Sequence, residues 1–89
     1  GPGNMRPLFA SQNLEVIGYP RPKIVGKNHL KFKVRQGRTV LDAIGFGMAE
    51  SLELLYSKKS LEMAYVLAEN EWQGRKTIQL ELKDIRVMD

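Results

Sequence analysis

The sequence predicts a small all-β domain, a five-stranded barrel that carries one short helix. Apolar and polar side chains alternate along three segments with the period of a half-buried β-strand, and two more segments are rich in strand-forming residues. Only the segment from Met48 to Leu55 has apolar residues at helical spacing. The 89 residues are 43% hydrophobic, which is ordinary for one small globular domain.

The first predicted strand runs from Leu14 to Val25 and is interrupted by Pro20 and Pro22. Proline cannot donate to a ladder, so we expect this strand to be bent, bulged or at an edge, like a first barrel strand that pairs with two neighbours. Residues 1–12 lack a clear period and are predicted to be a flexible lead-in. They begin with Gly1-Pro2-Gly3, which has the composition of a remnant of recombinant expression, so we expect the chain to be a fragment of a longer protein.

The clearest strand signal runs from His29 to Gln36. Odd-numbered positions as far as Arg35 are basic and even-numbered positions as far as Val34 are apolar, so one face is predicted to be buried and the other charged. A short turn and a second β-rich run, Thr39 to Phe46, complete a predicted hairpin. The helix from Met48 to Leu55 then has about two turns.

Two further strands follow the helix. Leu61 to Ala68 alternates again, Asn70 to Gly74 is predicted to be a turn, and the last strand runs from Thr77 toward Val87. The order is therefore β-β-β-α-β-β. Five strands with one helix between the third and fourth are the element order of the OB-fold, a partly open Greek-key barrel, here predicted over residues 13–89.

Composition argues against several classes of protein. The chain has no cysteine, which excludes disulfides, thiolate metal sites and cysteine nucleophiles and favours a cytoplasmic location. The single histidine, His29, argues against a histidine metal site or a serine–histidine catalytic pair. The sequence has neither an apolar run long enough to span a membrane nor a signal-peptide core, so no membrane partner is expected.

Positive charge is concentrated early in the chain. The net charge is +4, and the interval between Glu15 and Asp42 holds no acidic residue but contains seven of the 14 lysines and arginines. OB barrels bind oligonucleotides on the outer face of their second and third strands, between flanking loops. The sequence therefore predicts a single-stranded nucleic acid site formed by Arg21, Lys23, Lys27, His29, Lys31, Lys33, Arg35, Arg38, Trp72, Arg75 and Lys76.

The candidate cations and aromatic residues also have structural interpretations. A row of lysines on a strand is often a solvated face that prevents edge-to-edge aggregation. Trp72 could stack on a base from a hairpin tip or pack against the end of the barrel. Tyr19 and Phe46 are further stacking candidates, although an aromatic residue in a β-rich run, such as Phe46, is more often in the core. Tyr65 is expected in the core.

The remaining polar residues are interpreted mainly as structural. His29 could contact phosphate or base, but a histidine that braces a loop is more common. Asp42 and Asp84 lie inside apolar runs and are expected to accept backbone hydrogen bonds in a turn or bulge rather than to act in catalysis. No catalytic residue, metal ligand or small-molecule cofactor is expected in this domain.

Four segments, in order and with fitting spacings, resemble the C-terminal OB domain of RecJ-type single-stranded-DNA-specific exonucleases. The resemblance covers the chain from about Leu14 to Val87. It is carried by Gly26-Lys27-Asn28-His29-Leu30-Lys31, by Asp42-Ala43-Ile44-Gly45-Phe46-Gly47, by Glu69-Asn70-Glu71-Trp72-Gln73-Gly74, and by Gln79-Leu80 with Asp84-Ile85.

The resemblance implies that the chain is an excised C-terminal fragment of a larger exonuclease, and that it is a DNA-binding module of that enzyme. Family members degrade single-stranded DNA from the 5′ end in recombination and repair, with a DHH-type phosphoesterase core that binds manganese or magnesium. The sequence contains no Asp-His-His motif, so that core is expected outside this chain. The implied partners are single-stranded DNA and the catalytic core of the parent protein. Within the matched segments, the resemblance points to Lys27, His29, Lys31, Trp72 and Gly74.

Two alternatives remain open from the sequence. The barrel could be a structural or protein-interaction domain that packs on its parent protein or on a repair partner, with an exposed apolar patch as its mark. It could instead be a free-standing RNA-binding OB protein, because charge and fold alone do not separate RNA from DNA.

Overall fold

The computed structural model describes residues 6–88, which form seven strands and one short helical segment. A 3-10 turn (Ala49–Ser51) continues directly into helix α1 (Leu52–Tyr56). None of the helices in residues 6–88 is long and apolar enough to cross a membrane. The strands are β1 (Phe9–Ser11), β2 (Glu15–Val16), β3 (Lys23–Val25), β4 (His29–Gln36), β5 (Thr39–Gly45), β6 (Leu61–Trp72) and β7 (Arg75–Val87).

The hairpin of β4 and β5 follows the sequence prediction. The strands pair in antiparallel fashion from Leu30 opposite Gly45 to Gln36 opposite Thr39. The even-numbered apolar residues of β4 are buried, because strict alternation places them all on the inner face. The odd-numbered basic residues therefore share the outer face.

The predicted first strand is divided into two short strands. β2 and β3 both pair with β4, and the link between them contains Pro20 and Pro22. The break follows from the missing backbone donors of the two prolines. The prediction of a flexible lead-in is wrong for Phe9–Ser11, which form β1 and pair with Met63 to Tyr65 of β6. The predicted remnant Gly1-Pro2-Gly3 lies outside the described residues.

Strand β1 closes the sheet into a barrel. The strand order is β1-β6-β7-β5-β4-β2, so β1 and β2 lie at opposite ends of the sheet. They are nevertheless consecutive in sequence, separated by residues 12–14 alone. A chain of four residue steps, from Ser11 to Glu15, spans at most about 14 Å. The sheet must therefore curl until its two end strands come close without pairing, which gives the predicted, partly open barrel.

One apolar core fills the barrel. All of its large members come from the inner faces of the strands except Leu55, through which α1 covers one end of the barrel. Each fully buried aliphatic or aromatic side chain contributes roughly 1.5–3 kcal/mol to folding. Tyr65 is in this core as predicted. The buried residues of the cluster are Leu30, Phe32, Val34, Ala43, Leu55, Met63, Tyr65, Leu80, Leu82 and Ile85.

The last hairpin is longer than predicted. Strand β6 continues to Trp72 and pairs with β7 as far as Trp72 opposite Arg75, where a turn over Asn70 to Gly74 was expected. The connection is a two-residue turn in which Gln73 has φ 51° and Gly74 has φ 77°. Two consecutive left-handed residues match the right-handed twist of a hairpin, so both strands can pair up to its tip.

Candidate nucleic-acid interface

The outer face of β3 and β4 carries a row of cations, which we call the cationic track: Arg21, Lys23, Lys31, Lys33 and Arg35. Lys31, Lys33 and Arg35 alternate along β4 with the buried residues, so they are spaced by about 6.6–7 Å. Lys23 belongs to β3, and it lies directly opposite Lys31. Arg21 precedes β3 in the link from β2.

Two members of the track already face an acid. The Nζ of Lys33 lies 3.1 Å from Oδ1 of Asp42, its partner on β5. A guanidinium nitrogen of Arg35 lies 3.8 Å from Oε1 of Glu15, its partner on β2. These side chains are largely exposed, and exposed ion pairs contribute about 0–1 kcal/mol. A phosphate can therefore compete with either acid. Its binding free energy is reduced by the loss of the ion pair, and no such loss occurs at an unpaired cation.

Lys23 and Lys31 are in the opposite situation. Within residues 6–88 no carboxylate lies within ion-pair distance of either ammonium group. Residues directly opposite on neighbouring strands have Cβ atoms about 4.5–5.5 Å apart, and like charges there repel each other. A bound anion would relieve this repulsion, so the pair is the point of the track that most favours a phosphate.

A small cavity lies at this point of the face. Its volume is about 90 Å³, and its lining contains four cationic side chains and one acidic side chain. The cavity is therefore an electropositive recess of a size suited to a single anionic group rather than to a whole nucleotide. Its lining residues are Pro20, Arg21, Lys23, Lys31, Phe32, Lys33 and Asp42.

The other predicted cations lie near the ends of the track. Lys27 is in the turn before β4, and Arg38 is in the turn after it. The two turns are separated by the length of β4, which is roughly 26 Å for eight extended residues. Because β5 and β7 are parallel, Arg75 at the start of β7 lies toward the same end as Arg38. Lys76 is displaced from the site, since alternation along β7 turns its side chain to the other face of the hairpin.

Three aromatic side chains are exposed around the track. Trp72 is 71% exposed, so it does not pack against the end of the barrel, and it shares the outer face with Arg75. Tyr19 is 88% exposed, two residues before Arg21. Phe46 is 57% exposed, which the sequence prediction underrated because an aromatic residue in a β-rich run is usually in the core. Alternation along β5 turns Ala43 and Gly45 inward, so Phe46 continues the outward positions of the strand.

His29 braces two loops, as its more common interpretation predicted. Its Nδ1 accepts a hydrogen bond from the backbone N–H of Gly47 at 3.1 Å, which leaves the proton of the neutral ring on Nε2. Its ring meets that of Phe46 edge-on, with centroids 5.4 Å apart. Gly26 fits closely against the same ring, because a Cβ at Gly26 would lie 3.1 Å from Cδ2 of His29.

The two aspartates have different roles. Asp84 Oδ1 accepts the backbone N–H of Ile85 at 2.9 Å, close to the register shift opposite Ala64, so the predicted bulge role is confirmed. The same prediction is wrong for Asp42, which pairs with Lys33 instead. Across residues 6–88 no group of three histidine or acidic side chains lies together where it could hold a metal ion.

Comparison with known proteins agrees with this geometry. Two single-stranded-DNA-specific exonucleases RecJ match 71% of the chain: that of Bacillus subtilis at 32% identity over 63 residues and that of Haemophilus influenzae at 38% over 65. The chain spans 8% and 11% of these relatives. Among solved structures, the yeast mitochondrial single-stranded DNA binding protein Rim1 superposes with a TM-score of 0.61 at 15% identity, over 94% of this chain and 97% of that one.

The fold and the cationic outer face define an OB-fold domain with the architecture of an oligonucleotide-binding module. The family model of the RecJ OB domain matches residues 1–84. The chain therefore belongs to the RecJ OB domain family, and it comprises this domain without the catalytic core of a RecJ exonuclease.

Proposed function

We propose that this domain binds single-stranded DNA along the cationic track, as a module of a RecJ-like exonuclease that acts in DNA recombination and repair. The observation that carries the proposal is the recess in which Arg21, Lys23 and Lys31 converge, none of them in an ion pair within residues 6–88. The one acid in its lining, Asp42, is paired with Lys33. A convergence of unpaired cations beside exposed aromatic residues is what a sequence-tolerant single-strand site requires.

The parent protein would supply the chemistry. In this proposal the OB domain guides the strand toward a catalytic core that uses Mn²⁺ or Mg²⁺ and that lies outside this chain. The domain itself contributes positively charged groups and stacking surfaces. The metal dependence of cleavage would therefore depend entirely on residues of the core.

The experiment is a salt series of binding titrations. A fluorescently labelled dT oligonucleotide of about 15 nucleotides is titrated with the 89-residue chain, and anisotropy is recorded at 50 and 200 mM salt. If Arg21, Lys23, Lys27 and Lys31 each meet one phosphate, the log–log slope is about −2.8 and Kd rises about 50-fold across this range. A slope near zero would contradict the phosphate contacts, and preference for an rU oligonucleotide of equal length would favour the RNA-binding alternative.

A second role has support from another part of the surface. An open cavity of about 530 Å³ lies beside α1, with an apolar floor that includes Val16, Pro22 and Leu55. The two RecJ relatives are roughly tenfold longer than the matched region, so a RecJ-like parent would have most of its residues outside this chain. We propose that the parent packs against this cavity. Backbone amides at Gly18 and Arg21 should then exchange more slowly in the full-length parent than in the isolated domain; equal exchange would contradict the packing.

A further inference from the structure

The outer face is divided lengthwise into two strips of different chemistry. The outward residues of β3 and β4 are mainly cationic, as described for the track. The outward residues opposite them on and just after β5 are mainly apolar: Ile44 lies opposite Lys31, Val40 lies opposite Arg35, and Phe46 follows directly at the end opposite His29. Asp42 is the one acid in that apolar strip, and it is paired with Lys33.

We infer that Phe46, held edge-on by His29, is a base-stacking platform, and that bases lie along the β5 strip while the phosphates follow β3 and β4. This inference rests on the proposed function. The row of Phe46 and His29 is two residues, about 7 Å, from the row of Lys31 and Ile44. That step is close to the repeat of an extended single strand, so a base on Phe46 brings a phosphate within reach of Lys31 and Lys23.

The platform is preorganised by the two loops that His29 joins. The hydrogen bond from Gly47 N–H fixes the ring of His29, and the backbone N–H of Ala49 donates to the carbonyl oxygen of Asn28 at 3.1 Å. Both loops are therefore fixed relative to β4 before a ligand arrives. An aromatic face that is ordered in advance loses little conformational entropy on binding, so the stacking free energy is retained as affinity. Phe46 contacts the base in this account, and His29 is a positioning residue.

The test distinguishes binding to the bases from binding to the phosphates. A dT oligonucleotide of 15 nucleotides is compared with an abasic oligonucleotide of the same length, which has phosphates but no bases. Phe46→Ala should bind the dT oligonucleotide at least about fivefold more weakly than the unmodified chain, bind the abasic oligonucleotide equally well, and keep the same salt slope. Leu8→Ala removes another exposed apolar side chain, which precedes β1 and belongs to neither strip, and it should change neither affinity.

A double-mutant cycle tests the positioning role. His29→Leu removes the acceptor for Gly47 N–H and should weaken dT binding in the unmodified chain, but not when Phe46 is already alanine. Thermal unfolding of each variant verifies that it is folded. Equal dT affinity of Phe46→Ala and the unmodified chain, with salt-dependent binding intact, would overturn this inference and leave the proposed function standing. If the unmodified chain bound neither oligonucleotide, the proposed function would fail and this inference with it.

Discussion

The cations of this domain are not equivalent, because their neighbours across the sheet differ. Lys31 faces Lys23, whereas Lys33 faces Asp42 at 3.1 Å. All are exposed or half-buried basic side chains on one surface, and a charge count would treat them alike. Their availability to a phosphate is set instead by whether an acid must first be displaced.

Asp42→Asn should strengthen binding. The substitution keeps the shape of the side chain but removes the charge that competes for Lys33, so a fifth cation becomes available. The salt slope should steepen from about −2.8 to about −3.5, and affinity at 50 mM salt should rise. Anisotropy titrations with the dT oligonucleotide measure both quantities. An unchanged slope would mean that Lys33 does not face DNA.

The sequence predicted the outward direction of these residues but not their pairing. Alternation along His29 to Gln36 is a local property, so the basic face was predictable from the chain alone. That Asp42 lies opposite Lys33 depends on the register of the hairpin and on its two-residue turn at Gly37 and Arg38, where Gly37 has φ 60°. The pairing of Glu15 with Arg35 depends on a long-range contact that no local pattern encodes.

At the scale of elements, Glu62 connects three parts of the chain. Its carboxylate accepts hydrogen bonds from Nε2 of Gln12 at 3.2 Å and from Nε of Arg86 at 2.6 Å. These contacts link β6 to the segment between β1 and β2 and to the end of β7. The hydrogen bond from Gln12, followed by that from Arg86, holds the pKa of Glu62 below its ordinary value of 4.5.

The lowered pKa predicts a pH-dependent contribution to stability. A carboxylate whose pKa is lower when folded stabilises the fold above its unfolded pKa and loses that contribution as pH falls through the folded value. Glu62→Gln should therefore lower the free energy of unfolding at pH 7 and make less difference at pH 3. Urea unfolding of the variant and the unmodified chain at both pH values measures this difference in the free energy of unfolding. An equal difference at the two pH values would contradict the account.

Element boundaries were the least predictable feature of the fold. The β6–β7 hairpin exceeds its prediction because Gln73, an ordinary residue, adopts φ 51° beside Gly74. A turn of two residues then replaces the predicted turn of five. Likewise β1 was not predicted, since three residues carry too little pattern to reveal a strand. These three residues form a strand because they pair with β6, and their partners on β6 lie more than fifty residues away in the sequence.

At the scale of the whole molecule, closure of the barrel depends on those three residues. Phe9 lies opposite Tyr65, and their rings are stacked with centroids 5.7 Å apart. Tyr65 is itself in the core. The contact therefore joins the closing strand to the apolar interior, although Phe9 is itself partly exposed.

Phe9→Ala should destabilise the chain by about 1–2 kcal/mol, from the lost aromatic contact and buried area. For a domain of this size, that loss lowers Tm by roughly 4–16 °C. Leu8→Ala is the matched control. The adjacent Leu8 is 65% exposed, and its loss should cost less than about 0.5 kcal/mol. Equal Tm values for the two variants in a thermal melt would argue against closure by β1.

Charge is distributed unevenly over the whole barrel. Two of the five acids on β6 and β7 are ion-paired: Glu81 with Arg6 and Lys83, and Glu62 with Arg86. Lys23 on β3 and Lys31 on β4 have no such partners among residues 6–88, so the positive potential is concentrated at the recess. The sequence predicted the uneven distribution of charge along the chain. Only the strand pairing of the folded structure shows that the unpaired charge lies at Lys23 and Lys31.

The most direct test of the account is to remove the unpaired lysines of the recess and to compare that variant with a control that loses the same number of charges elsewhere. Lys23→Gln/Lys31→Gln is compared with Lys58→Asn/Lys59→Gln, which removes the same two charges from the loop after α1; asparagine suits Lys58, whose φ is 60°. Binding of the dT oligonucleotide is measured from 50 to 200 mM salt. We predict that the first variant changes Kd only about sevenfold across this range, with a slope near −1.4, while the control keeps the slope of about −2.8. Equal slopes for the two variants would contradict binding of single-stranded DNA at the Lys23–Lys31 pair.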